Sequence, residues 1–142
     1  MINSTDMYKK FKERNPGTDI TYPLFKYILT SYNKQVVDVL MRGETFNIGS
    51  KIGKLKISKF PRNFKRKTVD WGETNKLRKQ GIKKMVYYTD DYYYGYYWQK
   101  KSCSVKNKSV YKFHPAGGKN GPKKRLINYL KADEMNRLTF SQ

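Results

Sequence analysis

Apolar residues recur every four positions through one stretch of the chain: Leu24, Ile28, Tyr32, Val36 and Leu40, with Phe25, Leu29 and Val39 widening the stripe. That period predicts an amphipathic helix over 22–42. Thr21 stands at its N-cap position, and Pro23 falls in the first turn, where a missing N–H costs nothing. Gly43 supplies the left-handed residue that closes it. Upstream, "STDMYKKFKERNPG" opens with capping residues and stops at Pro16-Gly17, which predicts a short helix from 5 to 14 with Tyr8 and Phe11 on one face. Downstream the period drops to two. Phe46 and Ile48 alternate, Gly49-Ser50 turns, and Ile52, Leu55 and Ile57 follow, so two short strands, 45–48 and 54–59, are expected. The short first helix cannot cover the long helix alone, so a sheet or a second copy of the chain is expected against it. The expected core is Leu24, Ile28, Tyr32, Val36, Leu40, Phe46, Ile48, Leu55 and Ile57.

Beyond the second strand the pattern loosens. Between Lys51 and Lys84 there are 13 basic residues and two acidic ones. Pro61 confines any strand through it to an edge or a bulge. The stretch 73–85 has room for one or two helical turns, broken near Gly81. Seven of the 13 tyrosines then fall between residues 87 and 97. Tyrosine favours strands and Thr89-Asp90-Asp91 has turn chemistry, which predicts a hairpin pairing 85–89 with 93–100. A further strand is expected at 109–114. Pro122 opens a basic amphipathic helix carrying Leu126, Ile127, Tyr129 and Leu130. The order of elements gives an α+β class in one domain, 1–142, without internal repeats.

Charge changes the picture most. Thirty-one Lys and Arg against 11 Asp and Glu give a formal net charge of +20 in 142 residues. Such a field predicts a polyanionic neighbour: nucleic acid, an acidic surface or an acidic protein. Aromatic residues, at 15%, supply the bulk for a core that a hydrophobic fraction of 37% would otherwise leave thin. Cys103 is the only cysteine, so no internal disulfide forms. No apolar run approaches the length of a membrane span, and the first residues carry no apolar signal core, so neither a membrane partner nor a secretory signal is expected.

The glycine-punctuated stretch "GETFNIGSKIGKLKI" (43–57) resembles the HU/IHF family of nucleoid proteins, in which a long helix ends in Gly-Glu and two apolar alternations flank a glycine turn. Gly43, Glu44, Phe46, Ile48, Ile52, Gly53, Leu55 and Ile57 carry the match. Phe113-His114-Pro115-Ala116, ahead of "GPKKRLINYL", resembles the family's F-x-P landmark before its last helix. The fold motif is thus Gly43, Gly53, Phe113 and Pro115, with Gly53 placed where a Cβ would obstruct a neighbouring backbone. The resemblance implies an HU/IHF-like domain in which 60–108 is an extended arm insertion. The family's DNA-intercalating Arg-Asn-Pro tip is not carried over: here Pro61-Arg62-Asn63 reverses the order and sits beside the second strand. Val69-Asp70-Trp71-Gly72-Glu73-Thr74, Trp98-Gln99-Lys100-Lys101 and Lys106-Asn107-Lys108-Ser109 are similar to the HU/IHF-like structural proteins of crAss-like tailed phages. That resemblance implies a virion component made in the host cytoplasm. It would be a ring subunit of the neck between portal and tail, partnered by itself, the portal and other neck and tail proteins.

Tyr92, Tyr93, Tyr94, Tyr96, Tyr97 and Trp98, with Asp90 and Asp91 at the expected hairpin tip, are interface candidates, because large rigid rings with one polar end dominate protein contacts. Core packing and stacking on nucleic-acid bases are the alternatives. Arg62, Lys65, Arg66 and Lys67, and Lys123, Lys124 and Arg125, are candidates for phosphate contact, including double-stranded DNA. No catalytic, cofactor or metal site is expected: His114 and Cys103 alone form no ligand set, and "GSKIGK" lacks phosphate-loop spacing. Two readings stand: a ring-forming virion protein, and a sequence-independent architectural DNA-binding dimer.

Overall fold

The structure, a computed structural model, describes residues 3–141. Its first element, α1 (Ser4–Arg14), begins in a reciprocal cap: the Asn3 side chain accepts from the Asp6 amide while Asp6 accepts from the Asn3 amide. Tyr8 and Phe11 turn to α2 (Tyr22–Met41), where their rings lie 5.4 and 5.3 Å from that of Phe25. Gly43 then turns the chain at φ +81°, and a Cβ there would strike the carbonyl oxygen of Thr139.

Strands β1 (Phe46–Gly49), β2 (Gly53–Pro61) and β3 (Tyr92–Gln99) form an antiparallel sheet in the order β1-β2-β3. Between β2 and β3 the chain makes a closed excursion around α3 (Trp71–Lys79). Asp70 caps α3 by accepting from the Gly72 and Glu73 amides at 2.9 and 3.2 Å. Thr74, fully buried, accepts from the Val86 amide at 3.0 Å, and a single Val69–Tyr87 bridge closes the base. The last elements are α4 (Pro122–Ala132) and a 3₁₀ helix (Glu134–Phe140).

The core lies between one face of the sheet and the helices. Leu40, Leu55, Ile57, Leu126 and Phe140 are its buried members, with Val36, Phe46, Tyr94, Tyr96, Trp98 and Tyr129 packed around them. The α+β class stands, as do both N-terminal helices, the first two strands and the C-terminal helix.

Three expectations are corrected. The tyrosine run does not form a hairpin with 85–89: β3 pairs along its whole length with β2, from Lys54–Gln99 to Pro61–Tyr92. That pairing lays Tyr96 and Trp98 beside Ile57 and Leu55, burial a local hairpin could not provide. The strand expected at 109–114 is absent, and Val110 and Tyr111 are exposed. Of the nine expected core residues, Leu24, Ile28, Tyr32 and Ile48 are exposed. The cause in α2 is helical geometry. Each four-residue step overshoots a full turn by about 40°, so a strict four-residue repeat winds around the helix. Leu40 therefore points into the core while Leu24, four steps earlier, points almost the opposite way.

Candidate functional site

Strand alternation divides the clustered tyrosines between two surfaces. On the helix side, the Tyr94 ring lies 6.1 Å from that of Phe140, and the Tyr96 hydroxyl donates to the Pro122 carbonyl at 3.1 Å. Burial pushes the Tyr96 phenol up to about 12. The Trp98 indole donates to the Ile52 carbonyl at 2.8 Å. Three of the interface candidates are thus engaged by their own domain. Tyr92, on the same side but at the open end of the strand, holds the Lys59 ammonium 4.0 Å from its ring centroid. Tyr93 and Tyr97 project from the opposite side, which no helix among the described residues covers, and are 46% and 42% exposed.

Beside Tyr92 and Tyr94, an open groove of about 870 Å³ runs between β3, α4 and the loop 88–91. It gathers residues the chain keeps far apart: Arg62 from the end of β2, Asp90 and Asp91, Pro115, and Lys123 from α4. Arg62 organises the rim. Its amide donates to the Asp91 carbonyl at 2.7 Å, its Nε donates to the Asp90 carbonyl at 3.0 Å, and its guanidinium stands 4.4 Å from the Tyr88 ring centroid. Burial, and then the neighbouring Asp70 carboxylate, push the Tyr88 phenol up. Asp90 and Asp91 are therefore not a hairpin tip but the approach to β3, and the Asp90 carboxylate lies 4.0 Å from Arg137 of its own chain.

The basic candidates separate. Lys65, Arg66 and Lys67 are exposed on the segment after β2, and Lys123 and Lys124 are exposed on the first turn of α4. Arg125 is engaged: its guanidinium meets the Asp38 carboxylate at 2.7 Å and ties α4 to α2. Of the fold-motif residues, Gly53 sits at φ +106°, where a Cβ would run into the Gln99 carbonyl oxygen, and the Phe113 ring packs 6.2 Å from that of Tyr96.

Two sets of residues escaped the sequence reading. Asp70 and Thr74 anchor the excursion, and the Asp70-Trp71-Gly72-Glu73 run carried the signal, a cap residue with Glu three positions on. Phe60, Lys54 and Lys56 line the uncovered sheet face. Their alternation was visible, but not that β3 would bring Tyr93 and Tyr97 beside them.

Comparison with protein families, curated proteins and solved structures finds no match to this chain. The arrangement therefore speaks through its own chemistry. Among the described residues, no group of three His, Cys, Asp or Glu side chains is placed to hold a metal ion, and no helix is long and apolar enough to cross a membrane. The surfaces on offer are an apolar helix stripe, a basic and aromatic groove, and a basic and aromatic sheet face.

Proposed function

We propose that this chain is a structural virion protein that assembles with copies of itself, a ring subunit of the neck between portal and tail, built on an HU/IHF-like domain. The observation that carries self-assembly is the uncovered half of α2. Leu24, Ile28 and Tyr32 are 47%, 50% and 52% exposed on one flank of the helix, continuous through Tyr32 and Phe46 (6.2 Å between rings) with the protein core. Phe25, about 100° around the helix from Leu24, is already occupied by α1. A contiguous apolar stripe left open by its own fold is the usual mark of a surface that another chain covers. Placement in the neck rests on the resemblance of the sequence to crAss-like phage proteins.

Mass photometry of the purified chain tests the assembly. A closed ring is expected, whereas a dimer favours the second reading below, and Leu24→Glu with Ile28→Glu should return the ring to monomers of unchanged helical content. A parent chain that stays monomeric at micromolar concentration overturns the reading. Mass spectrometry of purified particles tests the location, which absence from the virion would refute.

The exposed Lys65, Arg66, Lys67, Lys123 and Lys124 favour a second reading, an architectural DNA-binding dimer indifferent to sequence. Duplex binding that weakens steeply with salt supports it, because lysine contacts act by counterion release. A strong preference for one sequence counts against it.

A further inference from the structure

The sheet face turned away from the helices carries Lys54, Lys56, Ser58 and Phe60 from β2 and Tyr93, Gly95, Tyr97 and Gln99 from β3, by the register and by alternation. Phe60 leans across Gly95: a Cβ there would lie in ordinary contact with its ring, at 3.7 Å. The Phe60 ring thereby stacks on Tyr93 at 5.4 Å and meets Tyr97 edge-on at 6.0 Å. Phe60 thus holds both tyrosines from between them, leaving each nearly half exposed. The Tyr93 and Tyr97 backbones stand about 13 Å apart along the strand, and their rings, drawn together on Phe60, lie closer.

The charge on the strands beside these rings is basic, with Asp90 and Asp91 placed just before β3 at the Tyr93 end. None of the three strands contains an acidic residue. Lys56 lies directly across from Tyr97, Lys54 follows on the same face, and the Arg62 guanidinium stands 5.6 Å from the Tyr93 ring centroid. Lysine is depleted from the centres of protein–protein contacts, whereas rings interleaved with lysine on an open surface suit a ligand that offers flat bases and phosphates together. A duplex keeps its bases stacked on one another and cannot offer them to the rings; a single strand can.

We propose that this face, through Tyr93 and Tyr97 with Lys54 and Lys56 beside them, is a stacking platform for single-stranded nucleic acid. It lies across the sheet from α2, so it is independent of self-assembly through that helix, and both surfaces can be occupied at once.

The test is fluorescence anisotropy of the full chain with a labelled oligothymidylate of about 20 nucleotides, beside a duplex of equal length. Tyr93→Ala with Tyr97→Ala leaves every charge in place. It should weaken single-strand binding about 25-fold or more, with the salt slope unchanged and duplex binding unaffected. Tyr93→Phe with Tyr97→Phe keeps both rings and should bind within about twofold of the parent. Lys54→Gln with Lys56→Gln should lower the salt slope instead. Equal single-strand affinity in the alanine variant overturns the proposal, as does an equal loss on the duplex. A change of oligomeric state without a change in binding overturns it too, and marks the face as a protein interface. Should the alanine variant fail to fold, ultraviolet cross-linking of the unaltered chain to the oligothymidylate decides: adducts at Tyr93 or Tyr97 support the platform, and adducts found only elsewhere, on the helix-side Tyr92 and Tyr94 or in 63–67 and 119–125, refute it.

Discussion

Replacing Gly53 by alanine tests how tightly the sheet is closed at its first rung. Gly53 is buried at φ +106°, a conformation that L side chains rarely adopt, and an added Cβ would meet the Gln99 carbonyl oxygen and lie 3.3 Å from the Trp98 indole nitrogen. Forcing a residue with a Cβ into left-handed backbone costs about 1–2 kcal/mol. The Gln99 oxygen belongs to the backbone and cannot swing aside, so the Lys54–Gln99 rung and the Trp98–Ile52 hydrogen bond must loosen, at a net cost of about 1 kcal/mol for each bond lost. The expected destabilisation is therefore about 2–4 kcal/mol. Gly81 separates the two causes. It sits at φ +80° with nothing within 4 Å of an added Cβ, so Gly81→Ala should show the backbone cost alone, about 1–2 kcal/mol. Urea unfolding of the parent and both variants, compared at equal slope, measures the difference. If Gly53→Ala proves no costlier than Gly81→Ala, the close approach of β2 to β3 at this rung is not as described.

Three smaller predictions come from the same packing. Thr74→Val keeps the shape of a buried side chain but strands the Val86 amide, and should cost about 1–3 kcal/mol in urea unfolding, with faster hydrogen exchange at Val86. The Tyr96 phenol, raised to about 12 in the fold, favours the neutral form; stability should hold below pH ~10 and fall as pH rises from about 10 to 12, a slope that Tyr96→Phe should flatten in thermal melts. Asp38→Asn removes the ion pair with Arg125, but both side chains are more than a third exposed, so the loss should be only about 0.5 kcal/mol and should vanish in high salt.

Much of this fold was legible in the chain because its signals are local. The helix over 22–41 shows in its period and in Pro23 and Gly43, α4 in Pro122 and its apolar spacing, and β1 and β2 in alternation around Gly49 and Gly53. Each signal reports a requirement met within a few residues: a cap, a φ angle, one face turned inward. Gly53 goes further, since its need for a close backbone was readable before the backbone in question was known. What the tertiary structure alone decided is which distant segments meet. The tyrosine run has the same strand propensity whichever neighbour it takes, and only pairing with β2 placed Tyr96 and Trp98 over the core and left Tyr93 and Tyr97 beside Lys56 on an open face. Val110 and Tyr111 show the converse, because β-propensity without a partner strand makes no strand. In α2 the apolar residues were identified correctly, yet their direction depended on a winding that the four-residue repeat conceals, and on a core that reaches only as far as Val36. The groove around Arg62 and Lys123 and the platform around Phe60 are likewise products of assembly: their residues come from separate elements, and register and packing set their spacing.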